Sequence, residues 1–141
     1  MSKRKLQVLV TRKLPDATET RLMELFDVKL NVSDEPMGQE EIVEALKTAE
    51  VLVPTVTDQI NNDLIREAGD QLKLIANYGT GVDHIDLVSS SQLGITVTNT
   101  PDVLTEDTAD LVLTMILMIS RKVLEAQKDL VNGNWSGWGP S

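Results

Sequence analysis

Short apolar runs recur along the chain at a nearly constant interval. LQVLV begins at Leu6, VKLNV at Val28, VLVP at Val51, LKLIAN at Leu72 and ITVTN at Ile95, a spacing of about 21–23 residues. Between these runs the apolar residues fall at helical intervals. Strands alternating with helices at this cadence predict a β–α–β succession. Runs apolar on both faces suit a parallel sheet covered by helices.

The intervening segments carry helix punctuation. Pro15 and Asp16 open the first, with Leu22, Leu25 and Phe26 on its inner side. The second is predicted over residues 39–50, placing Ile42, Val43, Leu46 and Ala49 on one face and its glutamates in solvent. The third starts at Asn61 or Asn62, packs Leu64, Ile65 and Ala68, and stops at Gly69. The fourth runs from about Asp83 to Leu93 and stops at Gly94.

The last periodic segment differs. It reads as one helix from Thr105, a candidate N-cap, to about Val131, with Glu106 and Asp107 near the positive end of its dipole. Leu111, Val112, Met115, Ile116, Met118 and Ile119 make it apolar on more than one side, so it expects cover from another domain or subunit. It leads into NGNWSGWGPS, a non-helical arm whose Trp135 and Trp138 read as partner anchors.

Charge and composition narrow the function classes. The formal net charge of -9 argues against sequence-independent binding to nucleic acid or anionic lipid. A local cluster of amides can still hold a small anion against that field. Without cysteine there is no disulfide scaffold, thiolate nucleophile or cysteine-ligated metal. The lone histidine, His84, makes a histidine-based metal site unsupported. The basic head of MSKRKLQVLVTR is followed by too short an apolar run for a signal peptide. Leu111–Ile119 is about half a membrane span. A soluble, cytoplasmic protein is expected.

The candidate chemistry centres on Gly79-Thr80-Gly81. It follows the fourth strand at its carboxyl end, where open α/β sheets bind ligands. Glycines allow successive amides to turn toward one point, and the following helix would add its dipole. A carboxylate or phosphate suits such a cradle, though a bare strand-to-helix turn fits the spacing equally well. It is not a dinucleotide fingerprint, because His84 stands where the third glycine belongs. His84 lies between Asp83 and Asp86, yet a partly exposed histidine in a helix first turn is the simpler reading. Ser89-Ser90-Ser91 has no base near it in sequence. The positions after strands one and three, Val10-Thr11-Arg12 and Val53-Pro54-Thr55, lack the acids of a phosphoacceptor receiver domain. TRKLPDA is not a flavodoxin phosphate loop.

Three stretches in order, NYGTGVDHIDL, GITVTNTPDVLTEDTADLVLTMILMISRKV and NGNWSGWGP, closely resemble the D-2-hydroxyacid dehydrogenases, the glyoxylate/hydroxypyruvate reductase branch above all. The resemblance covers essentially the whole chain. It implies a flavodoxin-like, doubly wound five-stranded parallel sheet of order 2-1-3-4-5 over residues 1–100, the family's substrate domain. Residues 101–141 would then be the long helix and arm that begin its cofactor domain. The matched positions imply roles. Thr80 and Gly81, with Gly79, hold the substrate carboxylate through backbone amides. Pro54 and Thr55 line the substrate cleft. Thr105 lies against the NAD or NADP, and Trp135 and Trp138 reach across a homodimer.

The departures matter equally. The family's G-x-G-x-x-G loop and its catalytic Arg, Glu and His find no match here, and His84 is not the catalytic histidine. The chain therefore reads as an N-terminal fragment: the substrate-binding part of an NAD(P)-dependent oxidoreductase of small 2-oxo and 2-hydroxy acids. No catalytic residue is assigned within it. As it stands it is expected to be inactive and to bind no cofactor. A homodimer is expected, with exchange of the 105–131 helix between copies as one form of it. A non-catalytic flavodoxin-like interaction module is the alternative.

Overall fold

The computed structural model describes residues 4–139. In chain order the elements are β1 (Gln7–Val10), α1 (Asp16–Leu25), β2 (Asp27–Lys29), α2 (Gln39–Leu46), β3 (Val51–Val53), α3 (Asn62–Glu67), β4 (Leu74–Ala76), α4 (Leu87–Gln92), β5 (Thr96–Thr98), α5 (Thr105–Ser120) and α6 (Val123–Val131). The chain divides into two compact units, Met1–Asp102 and Val103–Ser141.

All five strands of the first unit are parallel and lie in the order β2-β1-β3-β4-β5. The strand cadence and the doubly wound order therefore hold. Strand β1 is interior, with Leu9 opposite Lys29 on one side and Leu52 on the other. Alternation along the strands sends side chains to two cores. Leu9, Leu52 and Ile75 pack with Ile42, Leu46, Leu64, Ile65 and Leu72. Val8, Val10 and Val53 pack on the other face with Leu14, Leu22 and Phe26. Aliphatic burial of this kind is worth about 1.5–3 kcal/mol per side chain.

Two of the predicted helices are shorter than their periodicity implies. Helix α2 ends at Leu46, and Ala49 is buried from the turn that follows. Helix α4 begins at Leu87, not near Asp83. Residues 83–85 are instead held across the loops by a parallel bridge between Ile60 and Ile85. The Ile60 amide donates to the His84 carbonyl at 2.8 Å, and the Asp86 amide to the Ile60 carbonyl at 2.9 Å. Those bonds draw the backbone off a helical path until Asp86, whose side chain accepts from the Ser89 amide at 2.9 Å and caps α4.

In the second unit the single helix expected over residues 105–131 is two helices. Lys122 adopts a left-handed conformation at φ 49° and ψ 42°. Approaching it, the turn tightens: the Lys122 amide donates to the Ile119 carbonyl at 3.2 Å, and the Ser120 hydroxyl takes the Leu117 carbonyl at 3.0 Å. A side chain that competes for a backbone acceptor in this way loosens a helix locally. Thr105 is the first helical residue of α5, while Leu104 is the N-cap and no side chain caps the helix. Leu111, Val112, Met115, Ile116 and Ile119 are all exposed. No helix among the described residues is long and apolar enough to cross a membrane.

Candidate functional site

The carboxyl ends of β3 and β4 deliver two loops to one edge of the sheet. The Tyr78 amide donates to the Pro54 carbonyl at 2.9 Å, and Thr55 and Tyr78 form a parallel bridge. This lashes the connection after β3 to the start of the 79–86 segment.

Asn77 organises the loop beyond it. It stands at the end of an apolar strand and is 2% exposed. Its Nδ2 donates to the carbonyls of Gly79 at 3.1 Å and Gly81 at 2.8 Å. The Thr80 carbonyl accepts from Asn99 Nδ2 at 2.8 Å, and the Thr100 amide donates to the Gly79 carbonyl at 3.1 Å. The Val82 carbonyl accepts from the Ile85 amide at 3.0 Å. Four successive carbonyls, 79 to 82, are thus engaged inward. The amides of Thr80, Gly81 and Val82 donate to no group among the described residues. A segment with its acceptors consumed and its donors unclaimed is suited to an anion.

The cradle does not use left-handed glycines, since neither Gly79 nor Gly81 has a positive φ. Gly79 is required by space: a Cβ there would meet Val56 Cγ1 at 2.9 Å. At Gly81 the nearest neighbour of a Cβ is Asp83 Oδ2 at 3.7 Å, an ordinary contact. Because α4 starts only at Leu87, its dipole does not bear on this loop as the sequence suggested.

Gly81 opens on a shallow cleft of about 320 Å³ lined also by Val56, Gln59, Asp83 and His84. Of the two residues expected to line the cleft after β3, Pro54 is fully buried and Thr55 is half-buried. Val56 and Gln59 take that place. The loop that carries them is braced by Asp58, 5% exposed, whose Oδ2 accepts from Thr11 Oγ1 at 2.6 Å and the Thr55 amide at 2.8 Å. Sequence reasoning passed over both Asn77 and Asp58. The available signals were a polar residue closing an apolar strand and a T-x-x-D turn.

His84 Nε2 lies 3.0 Å from Asn77 Oδ1. With Asn77 Nδ2 engaged by two carbonyls, its Oδ1 faces the ring, so Nε2 carries the proton and donates. Burial holds the imidazole below its usual range, while Asp58 and Asp83 act in the opposite direction. No cluster of metal-ligating side chains occurs among the described residues. In the second unit, Thr105 begins α5, and Trp135 and Trp138 lie beyond α6 with 66% and 89% of their surface exposed.

The sequence matches the family model described as D-isomer specific 2-hydroxyacid dehydrogenase, catalytic domain, over residues 8–136. It is 34% identical over 133 residues to glyoxylate reductase from Thermococcus onnurineus, covering 94% of this chain and 40% of that protein. To human glyoxylate reductase/hydroxypyruvate reductase it is 33% identical over 139 residues, covering 97% of this chain and 42% of the relative. The chain thus spans about two fifths of the length of these relatives. Among solved structures, the TT0316 protein from Thermus thermophilus superimposes with a TM-score of 0.85 at 39% identity, over 96% of this chain and 43% of that one. The NADPH-dependent glyoxylate/hydroxypyruvate reductase from Sinorhizobium meliloti, solved with NADP and malonate, gives a TM-score of 0.77 at 28% identity, over 96% of this chain and 41% of that one.

Proposed function

Because the chain belongs to the D-isomer specific 2-hydroxyacid dehydrogenases, matching their catalytic-domain model over residues 8–136, we propose that its first unit holds the carboxylate of a small 2-oxo or 2-hydroxy acid. The ligand is of the glyoxylate or hydroxypyruvate class. The amides of Thr80 and Gly81, with Gly79 setting the turn, form the clamp, and the connection after β3 walls the cleft through Val56 and Gln59, with Pro54 and Thr55 behind them. The observation that carries this reading is the polarity of the loop: the carbonyls of residues 79–82 are all consumed and the amides of Thr80–Val82 are not.

The second unit would contribute Thr105 to a nicotinamide cofactor and Trp135 and Trp138 to a homodimer. Helices α5 and α6 would bury their apolar residues against a second copy, by exchange or by simple apposition. Reduction of a 2-oxo acid needs NAD or NADP, a cation to polarise the carbonyl and a proton donor. These 141 residues contain no G-x-G-x-x-G, and their one histidine is bonded to Asn77. The chain by itself is therefore expected to bind the acid without reducing it.

Titration of the 15N-labelled chain with glyoxylate tests the clamp. Shifts confined to the amides of residues 79–82 are expected, and their absence at high ligand concentration overturns the assignment. Oxidation of NADH by the isolated chain with glyoxylate above background would overturn the predicted inactivity.

A further inference from the structure

His84 shares the cleft with Gly81, the middle residue of the amide cradle. Its Nε2 is committed to Asn77 Oδ1, and that asparagine also holds the Gly79 and Gly81 carbonyls. The ring is therefore anchored to the backbone that forms the cradle. Nδ1 has no hydrogen-bond partner among the described residues, and no buried side-chain nitrogen or oxygen among them lacks one. Nδ1 is accordingly reached by solvent. Two carboxylates act on the ring's charge, Asp58 from the β3–α3 connection and Asp83 from the ring's own loop.

We infer that His84 sets how tightly the 79–82 loop holds a carboxylate, because a proton taken up at Nδ1 places a positive charge in the cleft on which the loop opens. This inference rests on the carboxylate-binding reading above. The Nε2 bond to Asn77 persists in both protonation states, since Nε2 donates in each. Protonation therefore adds charge without dismantling the cradle. It also offsets Asp83, whose carboxylate stands beside Gly81 and repels an incoming anion. Burial disfavours the charged ring, so the effect appears on acidification.

Linkage makes the consequence reciprocal. If a proton on His84 tightens anion binding by some factor, the bound anion shifts the His84 proton equilibrium by the same factor. His84 is the only histidine, so its ring signal is unambiguous. The full chain is titrated with glyoxylate at pH 8.0 and pH 5.5, following the amides of residues 79–82 and the His84 ring. Binding about three- to tenfold tighter at pH 5.5 is expected, the effect of one added unit charge near a partly solvated anion. A matching upward shift of the His84 pKa by glyoxylate is expected as well. In His84→Gln, checked for native amide dispersion, the pH dependence disappears. Equal affinity at both pH values, or unchanged pH dependence in H84Q, overturns the role of His84 and leaves the clamp standing. Loss of all shifts at residues 79–82 at both pH values overturns the clamp and this inference together.

Discussion

Both ends of the Asn77 amide are committed to the loop that follows it, so truncating this side chain removes three hydrogen bonds from a buried position. Asn77→Ala is expected to lower stability by about 2–3 kcal/mol, measured by urea unfolding, because the Gly81 carbonyl is left without a donor and the Gly79 carbonyl keeps only the Thr100 amide. The two glycines should separate cleanly. Gly79→Ala forces a Cβ against Val56 and is expected to cost about 1–2 kcal/mol. Gly81→Ala meets only an ordinary contact and should leave the urea midpoint unchanged. Acid affects the site in two windows. The His84 pKa is lowered by burial, so its contribution to stability is complete above pH 6.5 and declines as pH falls through the folded-state value. Asp86 is held below the carboxylate value of 3.8, first by the Ser89 amide, so its contribution is present above that value and is lost at lower pH. Urea midpoints should lose part of their slope below pH 6.5 in H84Q, and those below pH 4 should flatten in Asp86→Asn. The candidate loop was legible in Gly79-Thr80-Gly81 at a strand end. Its working parts were not, because Asn77, Asn99 and Thr100 act through side-chain and backbone bonds that no periodicity records.

Among the elements, the strands were the most legible. The interior strands β1, β3 and β4 are short apolar runs with little freedom, while the edge strands β2 and β5 each set one half-buried valine between two exposed residues. Helix ends were less so. Asn61 is a cap that the sequence marks plainly, and its side chain accepts from the Leu64 amide at 2.9 Å. Asn61→Ala is expected to cost about 1 kcal/mol in the same assay. The start of α4 was misplaced by about four residues because the Ile60–Ile85 bridge overrides local helix propensity. The break at Lys122 carries no glycine or proline to announce it. Apolar spacing continues through it, so only the backbone reveals that α5 and α6 are separate.

At the scale of the whole molecule, the apolar residues of α5 are the feature most in need of a partner. Light scattering of the full chain should give a dimer mass at micromolar concentration; a monomer at high concentration would overturn the homodimer. The sheet order has a different consequence, for time. Strand β1 is synthesised first, and β2 and β3 dock on its two sides. From β3 onward each new strand adds at the growing edge, so the sheet can assemble in the order in which a ribosome delivers it. No later strand must displace an earlier pairing. Parallel pairings close long loops and are slow to nucleate, so the β1–α1–β2 unit is the natural place to begin. Pulse-labelled hydrogen exchange during refolding should protect the amides of β1 and β2 before those of β5.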